Sequence, residues 1–220
     1  MKKINFILSL LFIATMSQAQ TKTSKLGITA GFGFQQYNGD LGNGFYNFKT
    51  SSYGVGSAQI ASYLTPSFDA GILFSIGDYG YCQTEEEANK EVPFSDRCPG
   101  CLGRVGIGNL NSRMVSGGLF IRYKLANGYI LKEDSKFSPY IYAGASINQI
   151  TDRMKMNCVT PGNYYTINAG GGINYNLSER FVIGYNIGFG RFTSDKVDLQ
   201  VRCSKDMYMQ NTLHIGINIF

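Results

Sequence analysis

The chain has 220 residues, a formal net charge of +5, 44% hydrophobic residues and only 16% charged residues, against roughly 25% charged residues in a typical soluble domain. Its 27 glycines lack a three-residue period, which excludes collagen. Its 15 tyrosines and 15 phenylalanines argue against a disordered chain. The small net charge gives no indication of nucleic-acid binding.

The N-terminus has the pattern of a secretory signal peptide. Lys2 and Lys3 supply the positive start, residues 4–14 form an apolar stretch too short to span a bilayer, and small residues occupy the end of the segment. We expect cleavage between Ala19 and Gln20, which leaves residues 20–220 as the mature domain.

After the signal peptide, apolar residues alternate with small polar residues over stretches of about ten residues, the period of a β-strand. Seven stretches alternate clearly, and the stretch from Tyr53 to Tyr63 is ambiguous in phase. The seven apolar faces run from Leu26 to Phe34, Phe68 to Ile76, Val115 to Tyr123, Ile141 to Ile147, Tyr165 to Tyr175, Phe181 to Phe189 and Leu213 to Ile219. Together these stretches predict eight strands.

The connections between the predicted strands alternate in length. The long ones run over residues 37–51, 82–110, 151–163 and 191–206, and the short ones over residues 64–67, 126–136 and 178–180. This pattern predicts an all-β fold, an eight-stranded antiparallel up-and-down transmembrane β-barrel with long loops on one rim and both termini on the other.

The chemistry of the polar face distinguishes a membrane barrel from a soluble lipocalin-like barrel. A face in water normally carries many charged residues, yet residues 137–148 and 164–190 contain only Glu179 and Arg180, both in a turn. Small uncharged side chains suit a narrow interior, and charges confined to connections suit a bilayer. The sequence therefore favours an apolar face in contact with lipid.

The polar phase supplies the candidate interior residues. An eight-stranded barrel is just wide enough for side chains to fill, so we expect no bulk transport. The polar residues expected in the lumen are His214, Arg122, Asn168, Asn174 and Asn186.

Tyrosines near the ends of the predicted strands suggest aromatic girdles at the membrane interfaces. The eight candidates are Tyr37, Tyr53, Tyr79, Tyr81, Tyr123, Tyr140, Tyr164 and Tyr208.

Residues 31–45, with the sequence GFGFQQYNGDLGNGF, residues 68–72 and the terminal strand resemble the OmpA-type eight-stranded outer-membrane barrel family, in the glycine- and tyrosine-rich form common in Bacteroidetes. The resemblance implies a protein of the Gram-negative outer membrane, in contact with its lipids, with a structural, adhesive or secretion-associated role. Because the chain ends at its last strand, the peptidoglycan-binding domain that such proteins often carry is not implied.

The terminal Phe220 is the type of residue that the barrel-assembly machinery reads in this class of protein. It lies in the opposite phase from Ile217 and Ile219, which departs from the usual pattern.

The cysteines all lie in or beside the long connections, where an exported chain can form disulfides. Because their number is odd, one thiol is left free or intermolecular; the pairing we favour is one bond within residues 82–101 and one between Cys158 and Cys203. A redox CxxC motif lacks its βαβ context, and zinc lacks a second CxxC. The five cysteines are Cys82, Cys98, Cys101, Cys158 and Cys203.

The function predicted from the sequence is structural or interaction-mediating, non-enzymatic and without a cofactor or metal. The four long loops would meet a surface or secretion-apparatus partner. Two alternatives stay open: an enzyme that modifies lipid A through His214, the single histidine, and a soluble ligand-binding barrel. Residues 38–44 carry oxygen ligands but lack the spacing of a calcium-binding loop.

Overall fold

The structure, a computed structural model, describes residues 26–38, 45–46, 48, 52–81, 110–152, 161–178, 180–194 and 206–219. Neighbouring strands pair antiparallel, and the last strand pairs with the first, so the sheet closes into the predicted eight-stranded barrel. The strands are β1 (Leu26–Asn38), β2 (Ser52–Tyr63), β3 (Phe68–Tyr81), β4 (Leu110–Lys124), β5 (Phe137–Asp152), β6 (Gly162–Asn176), β7 (Phe181–Phe192) and β8 (Met207–Ile219). No helix in the described part of the chain is long and apolar enough to cross a membrane.

The register of the strands sets the width of the barrel. Following the cross-strand pairs once around the sheet from Val182 leads back to β7 at Phe192, a displacement of ten residues (192 − 182). Strands staggered in this way tilt by roughly 40° from the barrel axis, and eight of them enclose a space that side chains can fill.

The two ends of the barrel differ in the connections they carry. Residues 64–67, 125–136 and 177–180 join strands at the end where Leu26 and Ile219 pair, which we call the short-loop end. The connections at the opposite, long-loop end span residues 39–51, 82–109, 153–161 and 193–206. The predicted alternation therefore holds with one exception, since residues 125–136 form a longer connection than residues 153–161.

The outer surface of the barrel is apolar, as the strand pattern predicts. Phe32, Leu119 and Ile215 are 72%, 68% and 66% exposed, far from the burial expected of core side chains. Among the described strand side chains, the charged ones in the outward phase are Asp78, Arg113 and Arg191, all near the long-loop end. A soluble lipocalin-like barrel needs the opposite arrangement, with its apolar face inside.

Aromatic side chains line the outer rim of the short-loop end. Phe68 lies 5.2 Å from Tyr123 across β3 and β4, and Phe137 lies 5.0 Å from Tyr175 across β5 and β6, as ring-centroid distances. Tyr123 therefore lies on the outer rim, where the predicted girdle requires it. The girdle prediction is wrong for four other tyrosines, which follow the inward phase of their strands and are buried inside the barrel: Tyr37, Tyr140, Tyr164 and Tyr208.

Three described residues of the first long connection, Phe45, Tyr46 and Phe48, contact the outside of the barrel. The ring of Phe48 lies 5.2 Å from that of Phe34, and the ring of Phe45 lies 5.6 Å from that of Phe189. The backbone N–H of Tyr46 donates to Oε1 of Gln36 at 2.8 Å. Gln36, a polar residue in the outward phase of β1, is fully buried as a result.

Candidate functional site

The structure places all five predicted lumen residues inside the barrel. Arg122, Asn168, Asn186 and His214 are buried, and Asn174 is partly buried. They do not form one cluster: Asn168 belongs to a layer near the long-loop end, whereas Arg122, Asn174 and His214 lie toward the short-loop end.

The other predicted site residues lie outside the described residues. They comprise the predicted cleavage site at Ala19 and Gln20, the terminal Phe220, most of the candidate calcium segment 38–44 and all five cysteines, Cys82, Cys98, Cys101, Cys158 and Cys203.

An aromatic and aliphatic layer fills the barrel near the long-loop end. The ring of Phe192 packs edge-on against Tyr164 and Tyr208, with centroid distances of 6.1 and 5.6 Å. Tyr37 extends the layer toward β8, because its hydroxyl donates to Oδ1 of the buried Asp206 at 2.9 Å. Met114 and Ile150 complete this cluster.

Below this layer, short polar side chains bond to one another across three strands. Ser146 and Thr166 share a hydrogen bond of 2.7 Å, and Nδ2 of Asn148 donates to Oγ1 of Thr166 at 2.9 Å. Nδ2 of Asn168 donates to Oγ of Ser146, and the hydroxyl of Tyr208 donates to Oδ1 of Asn168, both at 2.9 Å. Mutual bonding of this kind removes much of the cost of burying polar groups away from water.

A second polar connection joins β1, β3 and β8 across the lumen. Nε2 of Gln210 donates to Oε1 of Gln35 at 2.6 Å and to Oγ of Ser75 at 3.2 Å. The five lumen residues named from the sequence do not include Gln35 and Gln210, although both lie in the inward phase of their strands, and that phase was the signal that could have identified them. With the layers above, these bonds occupy the middle of the barrel.

Toward the short-loop end, Arg122 extends inward from β4. Its guanidinium carbon lies 4.3 Å from the ring centroid of Tyr140 and 5.2 Å from that of Phe120. Its Nη2 donates to Oε1 of Gln59 at 2.8 Å, while its buried Nε has no hydrogen-bond partner among the described residues. Stacking on two rings and one amide bond hold the cation in place.

His214 faces the same part of the lumen from β8. Its Nε2 lies 2.9 Å from Oδ1 of Asn174, so that, with the amide in this orientation, Nε2–H donates and Nδ1 is left without a described partner. The partner of the histidine is thus an amide and not the acid or serine that a lipid A-modifying enzyme would require. Among the described residues, no group of three or more histidine, cysteine, aspartate or glutamate side chains could hold a metal ion.

A cavity of about 580 Å³ occupies the barrel at the short-loop end; we call it the vestibule. Arg122 and Gln59 line its wall, and Glu133, Asp134 and Lys136 of the connection 125–136 lie at its mouth. The opposite charges of the mouth residues offset one another in part.

The second cation of the vestibule wall is already paired. Nζ of Lys124 lies 2.6 Å from Oδ1 of Asp69, and it also lies 4.3 Å from the ring centroid of Tyr63. Lys124 therefore differs from Arg122, for which no described carboxylate is in ion-pair contact.

Comparison with known proteins relates the chain to other proteins by its fold. No protein-family model matches the sequence, and no curated protein matches it. Among solved structures, the chain is similar to Neisserial surface protein A, with a TM-score of 0.56, 10% identity and coverage of 90% of this chain and 100% of that one. It is also similar to the outer membrane protein OprG of Pseudomonas aeruginosa, with a TM-score of 0.52, 11% identity and coverage of 91% and 98%. At these identities the similarity establishes the barrel fold.

Proposed function

We propose that the chain is an outer-membrane β-barrel of a Gram-negative bacterium that presents its four long connections at the cell surface. Its role there is structural or interaction-mediating, without enzymatic activity. The observation that carries the proposal is the outer surface: apolar residues cover it from the short-loop rim upward, and its charged strand residues lie near the long-loop end. The two similar proteins, by their names a surface protein and an outer membrane protein, support the same location.

The height of the apolar surface agrees with a bilayer. On β5 the outward residues from Phe137 to Ile147 are uncharged, a separation of ten residues. At about 3.3 Å per residue and a tilt of roughly 40°, they extend about 25 Å along the barrel axis, the height of the apolar band of outer-membrane barrels.

The filled interior supports the absence of bulk transport. Ring packing around Phe192 and the hydrogen bonds of Asn168 and Gln210 occupy the lumen between the vestibule and the long-loop end. Reconstituted into a planar bilayer, the protein should therefore show no stable open-channel conductance. A steady ohmic current that scales with inserted protein would contradict this part of the proposal.

The lipid A-modifying alternative has less support from the described residues. Its chemistry works at the outer rim, whereas His214 pairs with Gly184 and Gly31 well inside the strands and bonds to Asn174. Assembly through Phe220, disulfides among the cysteines and removal of residues 1–19 remain predictions from the sequence.

The orientation of the two ends in the cell provides the test. Two variants compare the two ends of the barrel. Each carries the same short epitope, inserted between residues 90 and 91 in the first and between Glu133 and Asp134 in the second. The first epitope should bind antibody on intact cells, and the second only after the outer membrane is permeabilised. Detection of the second epitope alone on intact cells would contradict the proposal.

A further inference from the structure

We propose that the vestibule binds a small organic carboxylate with a single negative charge, and that Arg122 is its anchor. The inference goes beyond the surface role, since it concerns the short-loop end of the barrel and its interior. Three observations support it: the contacts of Arg122, the volume of the vestibule and the charges of the residues that line it.

Arg122 is a buried cation without an ion pair among the described residues, because Asp69, its cross-strand neighbour on β3, pairs with Lys124 instead. The residue is 8% exposed, no described carboxylate is in ion-pair contact with it, and its Nε has no described partner. Its Nη2 donates to the neutral amide of Gln59. A buried charge without a partner is costly, so a carboxylate that reaches it forms a strong, charge-assisted contact.

The guanidinium is held ready for such a contact. Its stacking on Tyr140 and Phe120 and its bond to Gln59 restrict the side chain before any ligand arrives. A guanidinium presents a rigid, planar set of donors that matches a carboxylate group. Little side-chain freedom is then lost on binding, which favours affinity.

The vestibule has room for an organic molecule. Its volume of about 580 Å³ falls within the roughly 300–1,000 Å³ of small-molecule pockets. The hydroxyl groups of Thr29 and Ser138 and the amide of Asn174 line it as well, so polar groups are available beside the anchor.

The remaining charges limit the ligand to one negative charge. The ionisable side chains that line the vestibule carry formal charges that cancel, with Arg122, Lys124 and Lys136 against Asp69, Glu133 and Asp134. A carboxylate brings a single charge, whereas a phosphate monoester brings close to two near neutral pH. Because the lining charges already cancel, the second charge would leave the occupied vestibule with a larger net negative charge.

Ligand-observed NMR on the full chain, folded in detergent micelles, tests the inference with butyrate as the probe. Saturation-transfer titrations at constant ionic strength compare butyrate with the neutral butyramide and with methyl phosphate. Butyrate should bind saturably, butyramide should not, and methyl phosphate should bind at least threefold more weakly. Equal binding of butyrate and butyramide, or tighter binding of methyl phosphate, would overturn the assignment.

Variants locate the site. Arg122→Gln should weaken butyrate binding at least tenfold, while Lys136→Gln, which removes the same charge at the mouth of the cavity, should change it less than twofold. Arg122→Lys keeps the positive charge but loses the planar set of donors of the guanidinium, so it should weaken butyrate binding several-fold. If Arg122→Gln fails to fold, as judged by heat-modifiable migration in gels, Arg122→Lys carries the test. Unchanged binding in the folded Arg122 variants would refute the proposal. Because the micelle exposes both ends of the barrel, this result is independent of its orientation in cells.

Discussion

The ring of Tyr142 on β5 lies directly against Gly170, its cross-strand neighbour on β6 inside the barrel. A Cβ atom at Gly170 would lie 2.7 and 2.8 Å from Cε1 and Cζ of that ring and would also meet the carbonyl oxygen of Ile187. The abundance of glycine in the chain thus has a local cause at this position: the interior is too narrow for a large ring and a second side chain at the same level.

Substituting Gly170 should therefore destabilise the barrel. Gly170→Ala forces a methyl group against Tyr142 and the β7 backbone, and overpacking of this kind costs roughly 1–3 kcal/mol. Urea unfolding of the protein in lipid vesicles, followed by gel migration, measures the change in the free energy of unfolding.

Gly117→Ala is the matched control, because Gly117 lies in the outward phase of β4 and a Cβ there would contact only the ring of Phe74, at 3.6 Å. It should leave stability unchanged or raise it slightly, since alanine lowers the entropy of the unfolded chain. An equal loss in the two variants would show that interior crowding is not the cause.

The hydrogen bond between Tyr208 and Asn168 links β8 to β6 through the lumen. Tyr208→Phe should lower the free energy of unfolding by about 1 kcal/mol, the usual net value of a buried hydrogen bond. Tyr165→Phe removes a hydroxyl from a ring that is 63% exposed on the outer face, and it should have almost no effect. A cost for Tyr165→Phe as large as that for Tyr208→Phe would contradict the assigned bonding.

The outward charge pattern predicts a dependence on depth in the membrane. Leu119→Arg places a cation at an exposed outward position midway along β4, which should cost roughly 2–4 kcal/mol in a bilayer. Asn163→Arg introduces the same cation near the long-loop end of β6 and should cost about 0–1 kcal/mol. Folding titrations into vesicles measure both; equal costs would argue against lipid contact at Leu119.

The predicted disulfides among the five cysteines can be tested by peptide mapping. Digestion of the mature protein under non-reducing conditions should release a peptide that links Cys158 to Cys203 and a second linkage within residues 82–101. Mass spectrometry before and after reduction identifies them. Five free thiols in protein isolated from the cell envelope would overturn the prediction of stapled loops.

The strand pattern was enough to predict the fold because each strand has two chemically distinct faces. Alternation predicted which residues face outward in seven strands, and the barrel has them so, from Leu26 on β1 to Ile219 on β8. The phase of β2 was open, since neither of its alternating faces is uniformly apolar: Gly54, Gly56 and Ala58 alternate with Val55, Ser57 and Gln59. Its pairing with β1 and β3 turns Val55 inward, where it is buried.

The interior was harder to predict, because composition does not distinguish a rim tyrosine from a lumen tyrosine. Tyr37 and Tyr208 lie near strand ends, which suggested an interface, yet both are in the inward phase and buried. The surroundings of Arg122 depend on contacts with Gln59, Tyr140 and Phe120 from three strands. These contacts are set by the register between strands that are distant in the sequence. The sequence around one of the residues therefore does not predict its contacts.

Fractionation of the cell envelope tests the central claim most directly. A barrel whose outer surface carries apolar residues such as Phe32, Leu119 and Ile215 should sediment with the outer membrane in a sucrose gradient. It should also resist extraction by salt and alkaline carbonate and enter solution only with detergent. Recovery of the folded protein in the soluble fraction without detergent would contradict the account.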